Sequence, residues 1–208
     1  MILVFVFVAV CSVLIAGTFA NKDIRVIDNK SYISNDTIIE TEIDSFQIKT
    51  DSLNGIKENL IKEVFDYIKK VAPRSKMNAH NIVNACLEQE FDITLLLSQG
   101  HQETHFATCG SNNCFGIVGK RYAHPDESVS DYIDLMQRRY VGTKTTEQVI
   151  ASNFKLIGSK STHYSTSSGY GSLIASIRKD IMTNTNIYQL FNDVIELNRQ
   201  ITSFGLID

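Results

Sequence analysis

Apolar residues recur at helical spacing along most of the chain. Between Leu53 and Val71 they fall three or four residues apart, which is typical of a helix with one buried face. The same spacing predicts further helices over residues 79–89, 93–106, 125–140, 146–155, 173–182 and 187–200. The first residues of the 93–106 helix are apolar on nearly all sides, so we expect it to be the central buried helix. The pattern therefore predicts a mainly α fold.

Residues that start and stop helices separate these segments. Asn78 and Asp92 stand where N-caps are expected, and Pro73 ends the helix that precedes it. The stretch 158–171 is rich in Ser, Thr and Gly, which is typical of a loop. The predicted organisation has three parts: a flanking helix over 53–72, a compact helical domain over 73–184 and a final helix over 185–208.

The chain begins with an apolar segment. Residues 2–19 contain no charged side chain, and the small residue Ala20 follows them. This is typical of a signal peptide cleaved after Ala20 or of an uncleaved N-terminal membrane anchor, and the sequence leaves both open. Residues 21–52 are polar with scattered β-branched pairs, which indicates a stalk with a short strand. Either interpretation predicts an exported domain that is periplasmic, membrane-anchored or secreted.

Charge and cysteine content narrow the classes of function. The formal net charge of −3 at pH 7 gives no basic footprint, so we expect no nucleic-acid partner. Cys86 lies on an apolar helical stripe and is expected to be a buried core thiol. Cys109 and Cys114 flank a turn-forming stretch, and in an oxidising compartment this placement favours a disulfide over two free thiols.

Three motifs follow one another along the middle of the chain. Gln99 and Glu103 lie four residues apart near the end of an apolar helix, within the segment 98–106. The segment 112–117, which reads NNCFGI, comes next, and 163–170, which reads HYSTSSGY, precedes a later helix. Together these motifs resemble the glucosaminidase family of peptidoglycan hydrolases, within the lysozyme-like superfamily. The resemblance covers roughly the middle half of the chain.

The resemblance implies both a fold and an activity. The fold would be a lysozyme-like helical domain with a short or truncated β-lobe. The activity would be that of an endo-β-N-acetylglucosaminidase, which cleaves β-1,4 glycosidic bonds of the peptidoglycan glycan strand without a metal or an organic cofactor. By the same resemblance, Glu103 is the general acid that protonates the glycosidic oxygen, and Tyr164 positions the sugar or the reacting centre.

The residues near Glu103 fit this role. Apolar neighbours such as Phe106 make an unpaired carboxylate costly, so Glu103 is expected to keep its proton near neutral pH. The side chains expected to bind substrate are those of Gln99, Asn113, Phe115, Tyr122 and Tyr170. For Asn113, plain turn chemistry is a second interpretation.

His101 and His105 lie four residues apart, as two metal ligands on one helix face would. At about 100° per residue, Glu103 points away from this pair, and the HExxH order of metalloproteases is absent. We therefore expect groove-lining or surface histidines and no metal.

The chain departs from the family at the position of a second acid. Residues 118–124, which follow the FGI motif, contain no carboxylate. Asp126 and Glu127 are the nearest acids, and they also suit a helix N-terminus. Either one of them reaches the site, or the substrate's N-acetyl group is the nucleophile, or a second acid is not needed. The alternatives that stay open are a muramidase or lytic transglycosylase on the same fold, and a catalytically weak, membrane-anchored glycan-binding module; we expect a monomer in each case.

Overall fold

The computed structural model of the protein describes residues 35–106 and 112–204. The predicted signal peptide or membrane anchor lies outside the described residues, and so does Cys109. Residues Glu40–Asp208 form one compact unit, which contains the whole candidate site. Among the described residues, no helix is both long enough and apolar enough to cross a membrane.

The described chain consists of helices joined by loops. The helices are α1 Asn35–Val71, α2 Ala79–Glu88, α3 Ile93–Thr104, α4 Glu127–Met136, α5 Thr146–Ala151, α6 Tyr170–Asn184 and α7 Ile187–Phe204. The end of α4 continues into a π-helical segment, Gln137–Val141. Over 35–106 and 112–204 there is no strand, and an isolated bridge pairs Lys155 with His163. The prediction of a mainly α fold is confirmed.

Capping side chains begin α2 and α3 where the sequence predicts. The side chain of Asn78 accepts a hydrogen bond from His80 N at 2.9 Å, and Asp92 Oδ1 accepts one from Thr94 N at 2.8 Å. Both bonds satisfy N–H groups that have no partner within the helix. The predicted starts of these two helices are therefore confirmed.

α1 begins earlier than the sequence predicts. It includes residues 35–52, where we expected a stalk with a short strand. No Pro or Gly interrupts the chain between Asn35 and Gly55, so nothing ends the helix there. A local bond also supports it, since Gln47 Nε2 donates to Asp51 Oδ1 at 3.0 Å. The β-branched residues of this stretch thus lie in a helix in spite of their preference for strands.

α3 lies at the centre of the core, as predicted. Every residue from Ile93 to Gly100 is buried, and α3 packs most extensively against α6. Arg178 on α6 ties the two helices together, because its guanidinium donates to Thr94 Oγ1 at 2.8 Å and to Asp92 Oδ2 at 2.9 Å. The Asp92 carboxylate thus caps α3 and also binds Arg178 of the neighbouring helix α6.

Two cysteines lie in the described ranges, and both are buried. Cys86 is a free thiol in the core, as predicted, and burial raises its pKa. Cys114 is disulfide-bonded. The pairing with Cys109 that the sequence predicts involves a residue outside the described ranges.

Candidate active site

A tight turn follows the last residues of α3. His105 and Phe106 both adopt left-handed backbone conformations, with φ of 51° and 52°. The turn folds the Phe106 ring back onto Gly100, where a Cβ atom would lie only 2.1 Å from Phe106 Cε1. Glycine is needed at this position because any side chain would displace the ring. The turn therefore places a buried aromatic ring beside the end of the helix that carries Glu103.

Glu103 is half-buried on the last turn of α3, and its two carboxyl oxygens have different surroundings. Oε1 accepts a hydrogen bond of 2.6 Å from Tyr170 Oη. Oε2 faces Gly116, where a Cβ atom would lie 3.2 Å away from it. Gly116 is exposed and has a φ of +65°. One oxygen thus faces a buried phenol, and the other faces an open stretch of backbone.

The pKa of Glu103 is raised above its ordinary value. Burial is the main cause, because it disfavours the charged carboxylate, and the hydrogen bond from Tyr170 opposes this effect in part. No cation or second carboxylate among the described residues contributes to the shift. A carboxyl group in this setting keeps its proton closer to neutral pH than an exposed Glu does, as a general acid must.

Buried side chains form a chain of hydrogen bonds behind the carboxyl group. Gln99 Nε2 donates to Tyr170 Oη at 3.0 Å, and Tyr132 Oη donates to Gln99 Oε1. Gln99 and Tyr132 are fully buried, and Tyr170 is 5% exposed. The ring of Tyr132 stacks on the buried ring of Phe115, with 4.3 Å between their centroids. Gln99, Phe115 and Tyr170, which we expected to bind substrate, thus lie beneath the surface and support Glu103 from behind.

Tyr164 joins the loop before α6 to the FGI motif. Its hydroxyl donates to Phe115 O at 2.5 Å, and its ring centroid lies 5.8 Å from that of Tyr170. Burial raises the pKa of Tyr164, so its hydroxyl keeps its proton at neutral pH. In this structure Tyr164 holds the backbone next to Gly116 and makes no hydrogen bond to the carboxyl group of Glu103.

The other residues expected to bind substrate hold their own loop together. Asn113 Nδ2 donates to Ile117 O at 2.6 Å, and its Oδ1 accepts from Ile117 N at 2.9 Å. Tyr122 Oη donates to Asp131 Oδ2 at 2.9 Å, and Lys120 forms an ion pair with the same carboxylate at 3.0 Å. The turn chemistry that was the second interpretation of Asn113 is therefore present. These bonds keep the loop in place opposite the carboxyl group of α3.

Asp126 and Glu127 lie at the start of α4, where each accepts hydrogen bonds. Asp126 Oδ1 accepts from Asn78 N at 2.8 Å, and its Oδ2 accepts from a side-chain amide of α2. Glu127 Oε2 accepts from Ala123 N at 3.1 Å. Neither residue perturbs the carboxyl group of Glu103. Both acids hold the start of α4 to its surroundings, as the helix N-terminal interpretation predicts.

His101 and His105 lie next to each other, with 5.1 Å between their ring centroids. His101 Nδ1 forms a hydrogen bond of 2.8 Å with Tyr67 Oη, and burial, assisted by His105, lowers the pKa of His101. In the part of the chain that the structure describes, no three His, Cys, Asp or Glu side chains are grouped as ligands for a metal ion. His101 packs the end of α3 against Tyr67 of α1, and His105 is exposed beside it.

Sequence reasoning missed the roles of Tyr132 and Gly116. Tyr132 lies within the predicted 125–140 helix, and nothing in the sequence pairs it with Gln99, 33 residues away. The available signal was chemical, since a Tyr in a buried stripe needs a partner for its hydroxyl. Gly116 belongs to the FGI motif, but only the structure shows that the missing side chain leaves room beside Glu103.

The site thus combines a half-buried carboxyl group, a chain of buried hydrogen bonds behind it and an exposed glycine in front of it. Such a group keeps its proton to a higher pH than an exposed Glu does, and it can release that proton towards its open side. Comparison of the chain with family models, with curated proteins and with solved structures finds no match.

Proposed function

We propose that the protein hydrolyses β-1,4 glycosidic bonds in the glycan strand of peptidoglycan, as an endo-β-N-acetylglucosaminidase with Glu103 as the general acid. The observation that carries this proposal is the half-buried carboxyl group of Glu103, whose pKa burial raises. All three motifs that resemble glucosaminidases meet there: 98–106 carries Glu103, 112–117 faces it, and Tyr170 donates to it. A lysozyme-like helical domain is the finer fold that we propose with this function.

In the proposed reaction, Glu103 donates its proton to the glycosidic oxygen as the bond between that oxygen and the sugar carbon breaks. The leaving group then departs as an alcohol, and general acid catalysis of this kind contributes ~10²–10⁴-fold to the rate. Tyr170 already donates to Oε1, so it stabilises the carboxylate that remains after the proton has left. Glu103 next accepts a proton from the incoming water or hydroxyl group.

The nucleophile in this proposal comes from the substrate. Asp126 and Glu127 are bonded at the start of α4, and the described residues bring one carboxyl group to the site. The oxygen of the N-acetyl group can attack the sugar carbon in place of a second carboxylate. The same observation favours a lytic transglycosylase as the second candidate, because a sugar hydroxyl is then the nucleophile and one acid suffices.

We also propose that the domain acts outside the cytoplasm, where the glycan strand lies. Two observations support this location. Residues 2–19 carry no charge and are almost entirely apolar, as in a signal peptide or a membrane anchor. Cys114 is disulfide-bonded, which fits an oxidising compartment.

Digestion of purified peptidoglycan followed by mass spectrometry tests the proposal. The parent protein should release fragments with reducing N-acetylglucosamine ends. Glu103→Gln keeps the shape of the side chain but removes the proton, so the rate should fall by at least ~100-fold. Glu88→Gln is the matched control, because Glu88 is an exposed acid on α2, and it should cleave at the parent rate.

Three other results of this digestion would contradict part of the proposal. A Glu103→Gln rate within a few-fold of the parent would refute the assignment of Glu103. Fragments with anhydro ends would identify a lytic transglycosylase. Retention of the protein on peptidoglycan without any soluble fragments would favour the glycan-binding module.

A further inference from the structure

In the hydrogen-bond chain behind Glu103, each residue donates to the next one, from Tyr132 through Gln99 and Tyr170 to Glu103. Tyr132 is fully buried, and Gln99 Oε1 is the acceptor that the described residues offer to its hydroxyl proton. Since Oε1 of the amide faces Tyr132, Nε2 faces Tyr170 and donates to its oxygen. The Tyr170 oxygen thus accepts one hydrogen bond from Gln99, and the Tyr170 hydroxyl donates one hydrogen bond to Glu103 Oε1.

The opposite direction is disfavoured by burial. If the amide of Gln99 were turned over, Nε2 would face the hydroxyl of Tyr132, and the Tyr132 proton would lose its acceptor. A buried donor without a partner destabilises the folded protein, and every buried side-chain polar atom in the described residues has a partner. Tyr132 therefore sets the orientation of Gln99, and Gln99 sets that of the Tyr170 hydroxyl.

We propose, resting on the proposed function, that Tyr132 and Gln99 are positioning residues that keep the acid proton of Glu103 on Oε2. Oε1 already faces the hydroxyl hydrogen of Tyr170, so a second hydrogen there would meet a donor instead of an acceptor. Oε2 faces Gly116, which is exposed.

This placement gives the reaction a direction. The proton moves from Oε2 to the glycosidic oxygen, that oxygen takes the electron pair of the breaking bond, and Oε1 keeps its hydrogen bond from Tyr170. The scissile oxygen accordingly binds in front of Gly116, on the open side of Glu103.

Within 35–106 and 112–204, the titratable groups that face Glu103 are phenols. Tyr132 comes from α4, Tyr164 from the loop before α6, and Tyr170 from the first turn of α6. Burial raises the pKa of each of the three, so all are neutral in the pH range in which a carboxyl group titrates. The proton on Glu103 is therefore governed by burial and by the bond from Tyr170.

Gln99→Met tests the proposal with a side chain of similar shape. It leaves the oxygen of Tyr170 without a donor, so protonated Oε1 can donate to it. The acid proton of Glu103 can then lie on either Oε1 or Oε2, and the Tyr170 hydroxyl becomes a weaker hydrogen-bond donor to the carboxylate. We expect the pKa of Glu103 to rise and the rate at low pH to fall by about two-fold or more, because part of the protons lie on the wrong oxygen. Tyr132→Phe should act in the same direction with a smaller effect.

Carboxyl-carbon NMR reads the pKa of Glu103 without any need for activity, and Glu103→Gln assigns the signal by its loss. The matched control is Ser98→Ala. Ser98 is a fully buried neighbour on α3, and its hydroxyl donates to Thr94 O at 2.5 Å, outside the chain of bonds to Glu103. Its loss should lower stability and leave the pKa of Glu103 unchanged.

A pKa of Glu103 that rises in Gln99→Met and Tyr132→Phe but not in Ser98→Ala supports the positioning role. An unchanged pKa in folded Gln99→Met overturns it, and folded Tyr132→Phe decides the question if Gln99→Met does not fold. If the pKa moves as expected while the parent releases no fragments from peptidoglycan, the proposed function fails but the control of the Glu103 proton stands.

Discussion

Glu103 and Glu127 are identical side chains at opposite ends of two helices, and their surroundings act on them in opposite ways. Glu103 is half-buried at the carboxyl end of α3, where the helix dipole disfavours a negative charge, and one phenol donates to it. Glu127 is exposed in the first turn of α4, where the dipole favours a negative charge, and Ala123 N donates to it. The fold therefore favours the negative charge of Glu127 and leaves the negative charge of Glu103 largely uncompensated.

The comparison separates a reactive carboxyl group from a structural one. Asp126, beside Glu127, accepts two hydrogen bonds, so its charge helps to hold α4 to α2. The charge of Glu103 destabilises the folded protein, because burial raises its pKa. A general acid must keep its proton until it reacts, so the site requires an acid like Glu103, whose charged form is disfavoured by burial. The following variants test this distinction.

Gly116→Ala should have the largest effect. A Cβ atom there would lie 3.2 Å from Glu103 Oε2, on the side from which the substrate must approach. We expect kcat/KM for glycan hydrolysis to fall on the order of 100-fold, the cost of misplacing a reacting group. Gly119→Ala is the matched control, because its φ of +76° brings similar strain but no atom lies within 4 Å. Equal losses in the two variants would mean that strain, and not the space beside Glu103, is responsible.

Tyr170→Phe should have the next largest effect. The hydrogen bond to Oε1 favours the carboxylate and so lowers the pKa of Glu103, and its loss lets burial raise that pKa further. Because the acid form is active, the rate falls as pH rises through this pKa, and the alkaline limb of the profile should move to higher pH. We also expect the rate at the plateau to fall about ten-fold, since the remaining carboxylate loses a charge-assisted bond.

Tyr140→Phe is the control for this variant. Its ring lies 5.5 Å from that of Tyr164, but its hydroxyl makes no bond to Glu103. Its alkaline limb should coincide with that of the parent protein. A limb that stays in place in Tyr170→Phe would show that this phenol does not control the proton.

Glu103→Gln and Asp126→Ala should change the free energy of unfolding in opposite directions. Above about pH 4.3 an unfolded Glu releases its proton, whereas folded Glu103 keeps it until its raised pKa is reached. Glu103 therefore lowers the stability of the parent as pH rises through this window, and Glu103→Gln should become more stable relative to the parent between pH 4 and pH 7. Asp126→Ala loses two hydrogen bonds and should be less stable at pH 7 by about 1–2 kcal/mol.

Urea unfolding at pH 4 and at pH 7 measures both changes. Asp134→Ala is the control, because Asp134 is exposed on α4 and only pairs with Arg138; it should differ from the parent by less than about 0.5 kcal/mol. A Glu103→Gln variant that is less stable than the parent at pH 7 would mean that the charge of Glu103 is compensated after all.

The features that the sequence predicts well are local. Asn78 and Asp92 cap N–H groups two or three residues further on, so a short stretch of sequence contains both partners. The early start of α1 at Asn35 was missed because the local signals conflict there. Glu103 stands out for the same reason as the caps, since its motif and its place near a helix end are both local.

The support of Glu103 depends on residues that are far apart in the chain. Gln99 and Tyr170 are separated by 71 positions, and no periodic pattern pairs them. The Ser, Thr and Gly residues around Tyr170 suggested an exposed loop, whereas α6 begins at Tyr170 and buries it. Likewise, the hydrogen bonds by which Asp126 and Glu127 hold the start of α4 are visible only in the structure.

Chelation and loss of the histidine pair should have the smallest effect. His101 packs against Tyr67 of α1, and the described part of the chain offers the pair no third ligand, whereas a zinc site usually has four. Burial favours the acid form of Glu103, and the bond from Tyr170 opposes this effect only in part, so no metal ion is needed to explain its raised pKa. Hydrolysis should therefore proceed at the same rate with and without EDTA, and a variant with both His101→Gln and His105→Gln should stay within a few-fold of the parent. Loss of activity in EDTA that zinc restores would make the pair metal ligands. Glu103 would then work beside a metal ion, and its contrast with Glu127 would no longer explain the chemistry.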